Sequence, residues 1–152
     1  MSSLVALALP LAFARVVRRA APRPRLERFL SAPLGGKRLP FAEAVRVGGL
    51  LFVSGTIGNK PGTLELVPGG IAAETRQMME NVGRVLTKQG ATFSDLVKCT
   101  VFLADIGEWP AMNEVYVTFF PPDAFPARTA IGAELVLGAR VEIECLAVLP
   151  EK

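Results

Sequence analysis

Arg128 lies in the run Phe125-Pro126-Ala127-Arg128-Thr129-Ala130, among small and apolar neighbours. A guanidinium in such a setting demands an anionic partner, because an unpaired charge is costly to remove from water. Further along, Arg140-Val141-Glu142-Ile143-Glu144-Cys145-Leu146-Ala147-Val148 alternates carboxylates with apolar residues. Glu142 or Glu144 can close a structural ion pair with Arg128. In the other reading Arg128 waits for a ligand carboxylate. Its planar fork suits one, since it donates two parallel hydrogen bonds to a single carboxylate. One of the two carboxylates is then free to orient or deprotonate a water. Residue types alone leave both readings open.

Composition removes several other chemistries. The 152 residues contain no histidine, so a Ser-His-Asp or Cys-His relay has no base. The two cysteines, Cys99 and Cys145, are far apart and form no CxxC. A structural zinc site, built mostly from Cys and His, is therefore not expected, and neither is any cofactor. Two cysteines make no disulfide framework, which points to a reducing compartment, with Cys99 a small buried apolar residue. Residues 1–28 hold six arginines and one acid, leaving eleven basic against thirteen acidic residues in the remainder. The folded part is mildly acidic and lacks the basic stripe that nucleic-acid binding needs.

Residues 1–24 read as an extension separate from a single domain over 25–152. Leu4–Ala14 is apolar and Arg15–Arg25 is arginine-rich without an acid, the pattern of a mitochondrial transit peptide. A secretory signal ending at Ala12-Phe13-Ala14, which would imply a periplasmic or secreted protein, is the competing reading. An untargeted extension on a cytoplasmic protein is the third. The apolar run is too short to span a bilayer, so no stable membrane association is expected.

The elements that must position Arg128 and Glu142 follow from periodicity. Leu26–Leu30 is a short strand, followed by a Gly/Pro-rich loop over Ser31–Pro40. Ala44–Val47 and Leu50–Ser54 flank Gly48-Gly49, a hairpin signal, with Gly55 closing the second strand. Gly58–Gly62 is a turn. From Ile71, Thr75, Met78, Met79, Val82, Val85 and Leu86 recur at three- and four-residue steps, with Glu74 and other polar residues between them. That is an amphipathic helix, stopped at Gly90. Leu96–Leu103 is apolar enough for a central strand. Pro110 opens a second helix carrying Met112, Val115, Tyr116 and Phe119, ended by Pro121-Pro122. Ala127–Ala133 and Ala139–Leu149 are the last strands. The order β-β-β-α-β-α-β-β predicts an α+β domain with both helices on one face of a mixed sheet. The other face is partly apolar, which predicts self-association into a barrel-like core. Trp109 and Tyr116 read as core or interface aromatics.

Phe41-Ala42-Glu43-Ala44-Val45, Leu51-Phe52-Val53-Ser54-Gly55, Glu74-Thr75-Arg76-Gln77, Lys98-Cys99-Thr100-Val101-Phe102-Leu103, Asn113-Glu114-Val115-Tyr116, Pro126-Ala127-Arg128 and Val141-Glu142-Ile143-Glu144 occur in this order. Over about residues 26–150 the chain resembles the Rid (reactive intermediate deaminase, YjgF/YER057c-like) family. The resemblance implies a chorismate-mutase-like fold and a homotrimer with clefts between subunits. It implies hydrolysis of enamine/imine intermediates such as 2-aminoacrylate and 2-aminocrotonate to 2-oxo acids and ammonia. It implies catalytic roles for Arg128 and Glu142, and substrate contacts from Arg128, Ser54, Gly55, Asn113 and the position of Phe41. Two positions depart from the pattern: Phe41 stands where many members have tyrosine, and Ala130 where many have cysteine. A glutamate beside the arginine is expected to stay ionised. A non-catalytic trimer that binds small carboxylates or acts as a chaperone is the alternative. Ribonuclease activity, also attached to the family, fits poorly with a mildly acidic fold that lacks histidine.

Overall fold

The computed structural model describes residues 24–34 and 36–149. Apart from Pro24, the N-terminal segment read as a targeting peptide lies outside them. The elements are β1 (Leu26–Phe29), β2 (Ala44–Val47), β3 (Leu50–Ile57), α1 (Gly70–Lys88), β4 (Leu96–Leu103), α2 (Trp109–Tyr116), β5 (Ala127–Gly132) and β6 (Val141–Val148). This is the expected α+β order. A short 3-10 turn, Val117–Phe119, extends α2.

The six strands form one mixed sheet in the order β1-β2-β3-β6-β4-β5. Only β4 and β5 run parallel; the other pairs are antiparallel. Strand β6 lies between β3 and β4. It sends Val141, Ile143, Cys145 and Ala147 into the core under the helices, and turns Glu142, Glu144, Leu146 and Val148 the other way. This is the two-residue alternation of a strand, and it assigns the two faces of the sheet.

Helix α1 packs on β3, β6 and α2. Its apolar stripe of Ile71, Met78, Met79, Val82, Val85 and Leu86 is buried, as its spacing requires. Gly90, at φ 72°, ends it: Ala91 N–H donates to Leu86 O, and Gly90 N–H donates to Thr87 O. That is a Schellman closure, which a left-handed glycine makes at no steric cost. Glu74 departs from its expected solvent side. It is buried, and its Oε2 accepts a 2.9 Å hydrogen bond from the Arg140 backbone N–H. The carboxylate thus ties the first turns of α1 to the entry of β6.

Three expectations are corrected by pairing between distant strands. The Gly48-Gly49 hairpin forms, with Val47 opposite Leu50, but Gly55 does not close β3. The strand runs on to Ile57 through an irregularity between Val53 and Thr56, where β3 carries one more residue than β6. Such a bulge bends a strand and re-aims its side chains. Strands β5 and β6 are each slightly shorter than expected, and a 3-10 turn, Val136–Gly138, lies in the connection between them. Finally, Cys99 and Cys145 are not separate apolar residues. The β4–β6 register sets them opposite each other, with Cα atoms 4.2 Å apart, and they form a disulfide. That is the closer spacing of a non-hydrogen-bonded antiparallel pair.

The face away from the helices exposes Leu50, Phe52 and Val148, with Phe52 at 48% and Val148 at 47%. A shallow concavity on it is lined by Val45, Phe52, Ser54, Lys98, Thr100 and Glu144. Apolar area of this kind invites a covering surface.

Packing of β3 against α1 yields a test. A Cβ at Gly58 would lie 2.6 Å from Glu74 O and 2.7 Å from Glu74 Cα. Backbone at that distance cannot give way cheaply, so Gly58→Ala is expected to cost about 1–3 kcal/mol. Urea unfolding of the two proteins measures this, and an unchanged midpoint would contradict the close approach.

Candidate functional site

Arg128 sits on the edge strand β5, in register with Cys99 of β4, and faces α2. Its Nη2 donates a 2.8 Å hydrogen bond to Asn113 Oδ1. Its guanidinium carbon lies 4.4 Å from the centre of the Tyr116 ring and 5.5 Å from that of Trp109. Asn113, Tyr116 and Trp109 all belong to α2, at three- and four-residue spacing, so one helix face holds the arginine. Cation–π contact and an amide oxygen orient the fork without neutralising it. Among the described residues no carboxylate comes within ion-pair distance of Arg128, and its Nη1 is buried without a hydrogen-bond partner. The pairing with Glu142 or Glu144 therefore does not form within one chain.

Tyr116 is a contact that reading the sequence alone leaves in the core. Its hydroxyl is also buried without a partner, and burial raises its pKa against the opposing charge of Arg128. Its sequence signals were the helical spacing from Asn113 and the motif Asn113-Glu114-Val115-Tyr116.

A second group lies on the opposite face of the sheet. Glu142 points away from the helices, over the bulge in β3. A Cβ at Gly55 would collide with the Glu142 carboxylate, so a residue without a side chain is needed there. Gly55 thus admits Glu142 where the sequence suggested close approach of a ligand. Ser54 Oγ donates 2.7 Å to Ala42 O, and Ser54 N–H donates 3.1 Å to Glu43 O. These bonds hold the segment carrying Phe41, whose ring is exposed. Glu142, Gly55 and Ser54 are brought together with the neighbour of Phe41. Arg128 and Asn113 form a separate group, and one chain does not join the two.

Among the described residues, Glu142 forms no ion pair with an arginine within one chain. Burial, and secondarily the Glu144 carboxylate, raise its pKa above the ordinary glutamate value. Among the described residues, no cluster of three or more Cys, Asp or Glu is gathered that could hold a metal. No helix there is long and apolar enough to cross a membrane.

The model of the Endoribonuclease L-PSP family matches residues 35–149. This chain belongs to that family. The Rid (YjgF) resemblance seen in the sequence falls within it. A goat (Capra hircus) member, 2-iminobutanoate/2-iminopropanoate deaminase, is 44% identical over 72% of this chain and 80% of its own. Reactive Intermediate Deaminase A, chloroplastic, of Arabidopsis thaliana is 38% identical over 72% of this chain and 59% of its own. The crystal structure of YyfA from Yersinia pestis, a protein of the Rid family, superposes with a TM-score of 0.75. It has 32% identity and covers 82% of this chain and 100% of that one. Family members thus share the mixed sheet and helix layer on which both groups are mounted.

Glu142 provides a pH test. Its folded-state pKa lies above the unfolded value. Between the two, the folded state binds more protons, so stability falls as pH rises through that window. Glu142→Gln removes this ionisation. The variant is expected to melt above the wild type at about pH 7.5 and to lose that advantage near pH 3.5, where both are neutral. Thermal unfolding across this range checks it; an advantage unchanged at low pH would exclude ionisation as its cause.

Proposed function

We propose that this protein hydrolyses 2-imino acids of the 2-aminoacrylate and 2-aminocrotonate class to 2-oxo acids and ammonia. The observation that carries the proposal is Arg128: oriented by Asn113, stacked on Tyr116, and with no carboxylate among the described residues to neutralise it. The names of the goat and Arabidopsis relatives agree with such chemistry.

The site is assembled from two copies. The exposed apolar face carrying Leu50, Phe52 and Val148 supports a homotrimer with a barrel-like core, in which those faces cover one another. Arg128 and Asn113 of one subunit then meet Ser54, Gly55, Glu142 and Phe41 of the next. Joining the groups across a subunit boundary accounts for their separation within one chain.

The enamine tautomerises to a 2-imino acid, whose carboxylate adjoins an electrophilic carbon. Arg128 takes the carboxylate, and charge-assisted bonds of about 1.5–3 kcal/mol each hold the carbon in place. Glu142 accepts a proton from water as the oxygen adds to that carbon and passes it to the imine nitrogen, giving a neutral tetrahedral aminol. It then takes the hydroxyl proton of the aminol and delivers it to the nitrogen as the carbon–nitrogen bond breaks, releasing ammonia and leaving the 2-oxo acid. Phe41 contributes apolar contact without a hydroxyl, and Ala130 leaves space where a thiol stands in many relatives. The arginine-rich, acid-poor residues 15–25 support mitochondrial import.

Ammonia release is measured with 2-aminoacrylate generated in situ. Arg128→Ala is expected to lower kcat/KM by about 100-fold or more, the loss of two charge-assisted bonds. Arg128→Lys is expected to restore little of it, because a point charge cannot make the paired contact. Full turnover in Arg128→Ala would eliminate the carboxylate clamp. Carboxylate binding without ammonia release by the wild type would favour a binding module instead. A native mass other than three chains would refute the shared site.

A further inference from the structure

We propose that the Cys99–Cys145 disulfide is a redox-sensitive modification site that controls the placement of Arg128. Its effect on turnover rests on the deaminase reading above; its effect on Arg128 does not. The bond lies in the middle of the sheet, joining β4 to β6 across a Cα separation of 4.2 Å. Cys99 is flanked in register by Cys145 on one side and Arg128 on the other. All three side chains point toward the helices. The backbone that carries one half of the bond is thus hydrogen-bonded to the backbone that carries the clamp.

Opening the bond has a mechanical consequence. Two thiols then stand where one covalent link stood, and their sulfurs pack as separate non-bonded atoms. Cys99 is fully buried and Cys145 is 6% exposed, so the separated sulfurs must be accommodated within the packed core. Strand β6 is held on both sides, by β3 and β4. Strand β5 is the edge of the sheet and pairs only with β4. The displacement therefore passes outward through β4 to β5, where it shifts Arg128 against Asn113 and Tyr116.

The chemistry is thiol–disulfide exchange with a dithiol. Its thiolate attacks one cysteine sulfur, breaks the bond between Cys99 and Cys145, and forms a mixed disulfide. The second thiol of the dithiol then displaces the attached cysteine. Two electrons and two protons pass to Cys99 and Cys145, and the dithiol leaves as its own disulfide. Because neither sulfur is open to solvent, exchange requires transient separation of the strands.

Trp109, the only tryptophan in the chain, sits 5.5 Å from the Arg128 guanidinium carbon and reports on it directly. The full-length protein, oxidised in air and then reduced with excess dithiothreitol, is examined by thiol alkylation and mass, far-ultraviolet circular dichroism, Trp109 fluorescence and ammonia release. The oxidised form is expected to show no free thiol and the reduced form two, with the circular dichroism preserved. Reduction shifts the Trp109 emission and lowers ammonia release at limiting imine by roughly tenfold, the scale of a misplaced positioning group. The double variant Cys99→Ala/Cys145→Ala folds and gives no response to dithiothreitol in either readout. Two free thiols in the air-oxidised protein would overturn the proposal. So would identical Trp109 emission in both states, or loss of the fold on reduction, which would make the bond a brace and not a control. If neither state releases ammonia while Trp109 still responds, the deaminase reading fails and the link from disulfide to Arg128 stands.

Discussion

Strand β6 is the constraint on which the rest depends. It is clamped between β3 and β4, so both of its faces are committed. Val141, Ile143, Cys145 and Ala147 supply the floor on which α1 packs, and burial of such side chains stabilises by about 1.5–3 kcal/mol for each large one. The alternate residues, Glu142 and Glu144, must then point to the other face. No rotation of the strand could bring them toward the helices without turning its apolar residues out. The position of Glu142 is therefore a by-product of core formation, and everything proposed for it follows from that.

The same constraint separates Glu142 from Arg128. Arg128 lies on the helix side of β5 because its register partner, Cys99, lies on the helix side of β4. Two side chains on opposite faces of a sheet cannot meet one small ligand within one chain. The proposed assembly of copies brings them together, and the exposed apolar face offers a reason for assembly independent of chemistry. The arrangement carries a cost in the isolated chain: Nη1 of Arg128 and the Tyr116 hydroxyl stay buried without partners among the described residues. Such unmet polar groups are uncommon in folded proteins.

The bulge in β3 links fold to site in another way. One additional residue between Val53 and Thr56 places Gly55 beneath the Glu142 carboxylate and turns Ser54 to Ala42. Glycine is required because a side chain there would occupy the space of the carboxylate. Glu74 shows the converse, a carboxylate with a structural role: buried, paired with a backbone N–H, and used to fix α1 to the start of β6. Residue type alone does not separate these two glutamates. Burial on the helix side, with a single backbone partner, does.

The sequence by itself determined the element order, the stripe of α1, the Gly48-Gly49 hairpin, the stop at Gly90 and the exclusion of histidine-based chemistry. All of these rest on residues within one or two turns of each other, or on composition. It also marked Arg128, Asn113, Ser54, Gly55 and Glu142 as residues of interest through a family pattern. Tertiary structure alone decided how those residues group. Strand order and register set Cys99 against Cys145 across 46 residues of sequence, placed Arg128 and Glu142 on opposite faces, and carried β3 past Gly55. It also set the ring of Tyr116, a core aromatic as expected, against the guanidinium of Arg128. The physical reason is that periodicity encodes which side of its own element a residue occupies. Which element then lies opposite is settled only when all of the apolar faces are buried together.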